Sequence, residues 1–194
     1  MRVFVAIELS PTSREAVCRF VSSLLRRHTA LSATSGTWVA ASNLHVTLRF
    51  LGDLPASRLA QVGTVVETPF REPGFCVSVD RCGSFPTRGV LRVIWLGVGE
   101  GQPQLVALHN EVVGRLEECG YPAADRPFRP HVTIGRVKRV GQADATHIRV
   151  VLDTVPLAVP RWTVGRVVLY ESRLSTRGST YHVLTSGPLS SRSG

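Results

Sequence analysis

His45-Val46-Thr47-Leu48 returns later in the chain as His131-Val132-Thr133-Ile134, each copy emerging from a proline-rich or polar loop. In an extended segment residues i and i+2 share a face, so each histidine stands beside its threonine while Val46, Leu48, Val132 and Ile134 turn into an apolar layer. A bare His-x-Thr spacing carries little weight, because a lone strand histidine is ordinarily a hydrogen-bonded structural side chain. Two copies of His-Val-Thr-aliphatic, both in strand-like settings, instead predict two similar half-domains that each bring an imidazole and a hydroxyl to one groove.

Outward from these copies the chain alternates between strand and helix patterns. Residues 1–9 read as a first strand. Ser10-Pro11 then supplies an N-cap and a proline at N1, and Val17, Phe20, Val21, Leu24 and Leu25 recur at helical spacing to about His28. Residues 32–36 read as a loop by composition. A second helix is expected over 56–67, and a third from Pro103 to a stop at Gly120. Residues 75–79 and 90–98 read as an antiparallel hairpin, with Gly83-Ser84-Phe85-Pro86 in its connection. After the loop 121–130 and the second motif come a helical piece over 142–152 and strands near 161–170 and 180–185. The Ser-rich residues 187–194 read as a frayed tail. The class is α+β, and 194 residues at 43% hydrophobic content suit a single folding unit of two intimate lobes.

The chain carries 23 Lys and Arg against 14 Asp and Glu, a formal net charge of +9. Such a balance favours an anionic partner, nucleic acid first, although an Arg-rich genome gives the same composition. No apolar run approaches the roughly 20 residues of a membrane span. Cys18, Cys76, Cys82 and Cys119 stand singly, without zinc-type pairs, and read as free thiols in a reducing cytoplasm, with a Cys76–Cys82 pair as the alternative. No third ligand at a recognised spacing accompanies His45 and His131, so neither a metal nor another cofactor is expected.

A histidine pair suits phosphodiester chemistry. One imidazole activates water while the other protonates the departing alkoxide, and a pKa near 6.5 allows either role. Threonine hydroxyls can bind the non-bridging oxygens and an arginine can offset their charge.

The segments Met1-Arg2-Val3-Phe4-Val5-Ala6-Ile7-Glu8-Leu9, Asn43 to Gly52, Phe128 to Arg136 and Tyr170-Glu171-Ser172-Arg173-Leu174 resemble the bacterial and archaeal two-histidine phosphoesterases. These were first called 2′-5′ RNA ligases and are now regarded as RNA 2′,3′-cyclic phosphodiesterases. The resemblance covers most of the chain. It implies a bilobal α+β fold with two antiparallel sheets facing across a central groove and helices outside. It also implies hydrolysis of terminal 2′,3′-cyclic phosphates to 2′-phosphates, with His45 and His131 as the catalytic pair and Thr47 and Thr133 on the phosphate. By the same analogy His45 is the acid and His131 the base.

Arg136 falls where such proteins carry a phosphate-contacting arginine. Strict alternation from His131 would turn it to the opposite face unless Gly135 admits a bulge; without one, Arg129 or Arg49 is the better candidate. Arg129, Arg49 and Phe50 are further candidates for RNA contact, yet alternation points Phe50 inward. Phe128, Tyr121 and Tyr170 read as core, and Arg126, Arg129, Arg136, Lys138 and Arg139 form a basic cluster around the second motif. His28, His109, His147 and His182 read as surface or structural. The expected partner is RNA with a 2′,3′-cyclic phosphate end, bound by a monomer. Two rivals are ATP-independent 2′-5′ RNA ligation, which needs the same histidines, and a non-catalytic RNA-binding module. An ATP-driven ligase fits poorly, because the sole lysine, Lys138, sits in no nucleotidyl-transfer motif.

Overall fold

Alternation along β1 (Arg2–Glu8) sets the two faces of the sheet: Val3, Val5 and Ile7 enter the main core, whereas Phe4 and Ala6 join Val168 and Tyr170 in a small cluster on the reverse side. The computed structural model describes residues 1–122, 127–138, 140–176 and 178–191. Along the chain follow α1 (Pro11–Arg27), a single helical turn α2 (Thr29–Ser32), β2 (Ser35–Trp38), β3 (His45–Asp53), α3 (Ala56–Glu67), β4 (Phe70–Pro73), β5 (Phe75–Val77), β6 (Val79–Phe85) and β7 (Val93–Val98). Then come α4 (Gln102–Glu118), β8 (His131–Lys138), α5 (Gln142–Thr154), β9 (Trp162–Val164), β10 (Arg166–Ser175) and β11 (Gly178–Ser190).

The helix ends are local chemistry. Ser10 accepts from the Ser13 amide at 3.1 Å and Pro11 opens α1, as expected. Gly120, at φ 76°, follows α4 in the left-handed conformation that a helix stop requires. Among the described residues, no helix is long and apolar enough to cross a membrane.

Where two facing sheets were expected, the main strands form one hydrogen-bonded path, β4-β11-β10-β1-β3-β8-β7-β6, with β2 also on β8 and a separate β5–β9 pair. The two motif strands lie at the seam of this path. β3 and β8 run antiparallel and meet at a single residue pair, Val46 with Val132. Helices α3, α4 and α5 pack on the core face, where Val46, Leu48, Val132 and Ile134 are buried as predicted. Burying each such side chain contributes about 1.5–3 kcal/mol. A one-residue slip would expose all four and bury the histidines, so the register is firmly specified.

Several expectations are corrected. The partner of β7 is β6 over Val79–Phe85, while Phe75–Val77 leaves to pair with β9. Gly83, expected in a turn, lies within β6, because the Trp95 ring crosses it so closely that a Cβ there would come within 2.5 Å of the indole. Residues 35–38, read as the edge of a loop, form a strand on β8, and 187–190, read as tail, complete β11 and reach β4 at Leu189. Residues 192–194 lie outside the described residues, as do Arg126 and Arg139 of the basic cluster. All four cysteines are free, with Cys82 buried and its thiol pushed up to about 12 by that burial.

Candidate active site

The antiparallel register about Val46 and Val132 sets His45 level with Thr133, and Thr47 level with His131. The four positions share the face opposite the core, so the sequence repeat becomes a local two-fold arrangement.

Each imidazole is held the same way. His45 donates Nδ1–H to the Asn43 carbonyl at 2.7 Å, and His131 donates Nδ1–H to the Arg129 carbonyl at 2.6 Å. A carbonyl can only accept, so Nε2 is the ring atom left free for proton exchange in both. In His45 that atom lies 2.9 Å from the Thr47 hydroxyl. Aromatic rings flank both: Phe4 at 4.9 Å and Tyr181 edge-on at 5.3 Å beside His45, and Phe85 at 5.2 Å and Trp95 at 6.4 Å, both edge-on, beside His131. Tyr181 was not foreseen, because nothing local links β11 to the motif.

Burial is the main cause that lowers the pKa of His45, to about 4, with the charges of His131 and Arg136 acting in the same direction. His131 is also lowered, first by burial and then by Arg136. Both carbonyl hydrogen bonds oppose the shift. Arg136 therefore acts on both rings, and on the Tyr181 phenol as well.

The route by which Arg136 reaches this face is a β-bulge. Ile94 pairs with Gly135 but Trp95 with Thr133, which leaves Ile134 as an extra residue in β8. Ile134 and Gly135 are both buried, and alternation resumes with Arg136 exposed. Gly135 is needed there: a Cβ would come within 2.8 Å of the Trp38 ring.

The first motif has the same bulge at the matching position. Val5 pairs with Arg49 but Ala6 with Thr47, leaving Leu48 extra in β3. Arg49 is thereby displaced, and its guanidinium donates to the Pro122 carbonyl at 2.7 Å. Phe50, expected to point inward, is 62% exposed and tilts over Phe4 at 5.7 Å. Phe50 and Arg136 are thus equivalent positions of the two copies.

A groove of about 910 Å³ opens beside the pair, lined by Thr47, Phe50, Phe85, Phe128 and His131 together with Arg49, Arg92 and Arg129. The three candidates for RNA contact, Arg129, Arg49 and Phe50, all border it. Phe128 packs against the main core, as read, and also forms part of the groove wall, as does His109. Tyr170 is buried, as expected, and its hydroxyl donates to Glu8, which also pairs with Arg166. Among the described residues, no group of three His, Cys, Asp or Glu side chains is placed to hold a metal ion.

The chain resembles proteins of known kind. The model of the 2′-5′ RNA ligase superfamily matches residues 20–176. A protein of Archaeoglobus fulgidus named RNA 2′,3′-cyclic phosphodiesterase is 34% identical over 149 residues, 77% of this chain and 80% of that one. A protein of the same name from Thermotoga maritima is 31% identical over 185 residues, 95% of this chain and 93% of its own. Among solved structures, a Thermus thermophilus protein, TT0787, superposes with a TM-score of 0.78 at 26% identity, covering 99% of this chain and 100% of that one. Escherichia coli LigT complexed with 3′-AMP gives 0.73 at 26%, covering 97% and 98%. On the match of its motifs, its sheet and most of its length, the chain belongs to the 2′-5′ RNA ligase superfamily.

Proposed function

We propose that this protein hydrolyses the 2′,3′-cyclic phosphate at RNA ends to a 2′-phosphomonoester, with His45 and His131 as its acid–base pair. The observation that carries this reading is the paired imidazoles, each held through Nδ1 on a backbone carbonyl, in register across one strand pair and under the charge of one arginine. The relatives named RNA 2′,3′-cyclic phosphodiesterase supply the substrate class. Water's oxygen forms a bond to phosphorus as the bond to O3′ breaks. One Nε2 takes the proton that water loses, and the other gives a proton to O3′. Each transfer contributes roughly 10²–10⁴-fold. Following the family analogy, His45 is the acid and His131 the base, with Thr47, Thr133 and Arg136 on the non-bridging oxygens and Arg129, Arg49 and Phe50 along the RNA.

The two half-sheets that meet at Val46 and Val132 are read as the two lobes of one domain, which acts as a monomer in the cytoplasm. The test is hydrolysis of a dinucleotide 2′,3′-cyclic phosphate in EDTA, with the product identified as a 2′- or 3′-phosphate. Chelator-resistant release of 2′-phosphate supports the reading. His45→Ala and His131→Ala should each cost at least about a hundredfold in turnover while the protein stays folded. Near-normal activity in either variant refutes the pair. The superfamily's name keeps one second reading in view, since a 5′-hydroxyl in place of water attacks the same phosphorus, expels O3′ in the same way and joins two ends by a 2′-5′ bond; adding a 5′-hydroxyl oligonucleotide to the assay distinguishes them. Tight RNA binding without turnover would mark a binding module.

A further inference from the structure

His109 lies outside both motifs, yet it is 8% exposed on the inner face of α4. Its apolar neighbours on that face are Leu105, Leu108, Val112 and Leu116. A leucine or phenylalanine would satisfy such a position by packing alone, and burying an imidazole there requires that its polar atoms find partners.

Its Nδ1–H donates to the carbonyl of Leu48 at 2.8 Å. Leu48 is the residue left out of the β1 ladder by the bulge in β3, the bulge that brings Phe50 to the groove. The flat of the same ring lies against Phe128, with centroids 4.2 Å apart and planes 3° from parallel. Phe128 directly precedes Arg129, whose carbonyl fixes His131. One side chain thus fastens the bulge that follows the first motif to the segment that leads into the second. Residues of both segments line the groove beside Thr47 and His131. Only the Val46–Val132 pair joins the two motif strands directly, so a second tie away from that pair has something to fix.

We propose that His109 is a positioning residue, holding the Leu48 bulge and the Phe128–His131 segment at a set separation so that a bound RNA end meets both motifs at once. It exchanges no proton with the substrate. The inference rests on the cyclic phosphodiesterase reading for its substrate, and predicts that His109 governs binding more than the chemical step.

Three variants separate this role from packing. His109→Phe keeps a flat ring against Phe128 and removes the donor; His109→Gln keeps a donor and removes the ring; His109→Ala removes both. With a dinucleotide 2′,3′-cyclic phosphate, His109→Phe and His109→Ala should raise KM at least tenfold with kcat within threefold of wild type. His109→Gln should recover part of the loss. If His109→Phe keeps the wild-type KM, or if kcat falls in step with the folded fraction while KM stays put, the inference fails and the residue is only packing. Should His109→Ala not fold, His109→Phe and His109→Gln carry the test. Absence of turnover by the wild type would sink the functional reading instead. The inference is then judged on the Kd of the same dinucleotide, where a ratio below tenfold between His109→Phe and wild type overturns it.

Discussion

Replacing Arg136 by glutamine removes a charge that acts on both imidazoles, without filling or emptying the core, since Arg136 is exposed. A hydrogen bond to a charged group is worth about 1.5–3 kcal/mol, and solvent screening at an exposed guanidinium argues for the lower end. At about 1.4 kcal/mol per decade this gives a loss of roughly 10–30-fold in kcat/KM. The pH profile carries a second signature. Burial and the Arg136 cation both disfavour the imidazolium forms, so His45 and His131 titrate below the ordinary histidine value. Taking the cation away leaves burial in force and raises both. Because kcat/KM reports the free enzyme, its acidic and alkaline limbs should both move to higher pH in Arg136→Gln. Arg136→Lys keeps the charge and loses the planar fork, so its limbs should stay in place while activity falls part of the way. Steady-state kinetics across pH 4–9 on the dinucleotide substrate gives both readings, and histidine NMR titration checks the shifts directly. Activity within twofold of wild type together with unmoved limbs would show that the bulge in β8 does not deliver Arg136 to the phosphate.

Gly135→Ala forces a Cβ against the Trp38 ring at 2.8 Å, and overpacking of this kind costs about 1–3 kcal/mol; thermal melts should show a lowered Tm, and an unchanged one would mean that Trp38 yields freely. Phe50→Ala should leave Tm nearly unaltered, as an exposed side chain, while raising KM roughly fivefold or more if the ring stacks on a base; an unchanged KM removes Phe50 from the RNA path. Glu8 is raised by its burial, but the hydrogen bonds from Arg166 and Tyr170 outweigh that and hold its carboxyl below 4.5. A depressed carboxyl stabilises the fold above its unfolded pKa and loses that contribution as pH falls through the folded value. Glu8→Gln should therefore melt earlier than wild type at pH 7, and the gap should close as the pH falls through the depressed folded value; a gap that persists in acid would refute the ionic account.

What could be read from sequence was whatever a short window determines. Ser10 and Pro11 cap α1 through groups three residues apart, and Gly120 ends α4 by its own φ. The apolar stripes of the helices and the alternation through the two His-Val-Thr copies are equally local, and the catalytic candidates came with them. The misreadings fall where a neighbouring strand decides. Ser35–Trp38 has almost no apolar pattern because backbone bonds to β8 make it a strand. Gly83 looked like a turn because the Trp95 ring that needs the space is across the ladder. Alternation alone points Phe50 inward and does not place Arg136, because a bulge arises from pairing with β1 or β7, not from the strand's own residues. His109 looked ordinary because its two partners, Leu48 and Phe128, are remote in the chain.

The bulges bear on more than the reading of two side chains. Two identical His-x-Thr copies, level with each other about Val46 and Val132, make a site that is symmetric in its proton donors and acceptors. A nucleotide is not symmetric, having an aromatic base at one end and an anionic phosphate at the other, so the motif alone would not choose between two ways of presenting it. In both copies the extra residue is the aliphatic fourth position, Leu48 or Ile134, and in both the shift brings the sixth position to the working face. There the copies part: one delivers Phe50 and the other Arg136. A stacking surface and a cation at equivalent places give the substrate a direction. In the proposed mechanism the shared geometry of the repeat thus supplies the acid–base pair, and the side chains that its bulges expose would decide which histidine faces the sugar.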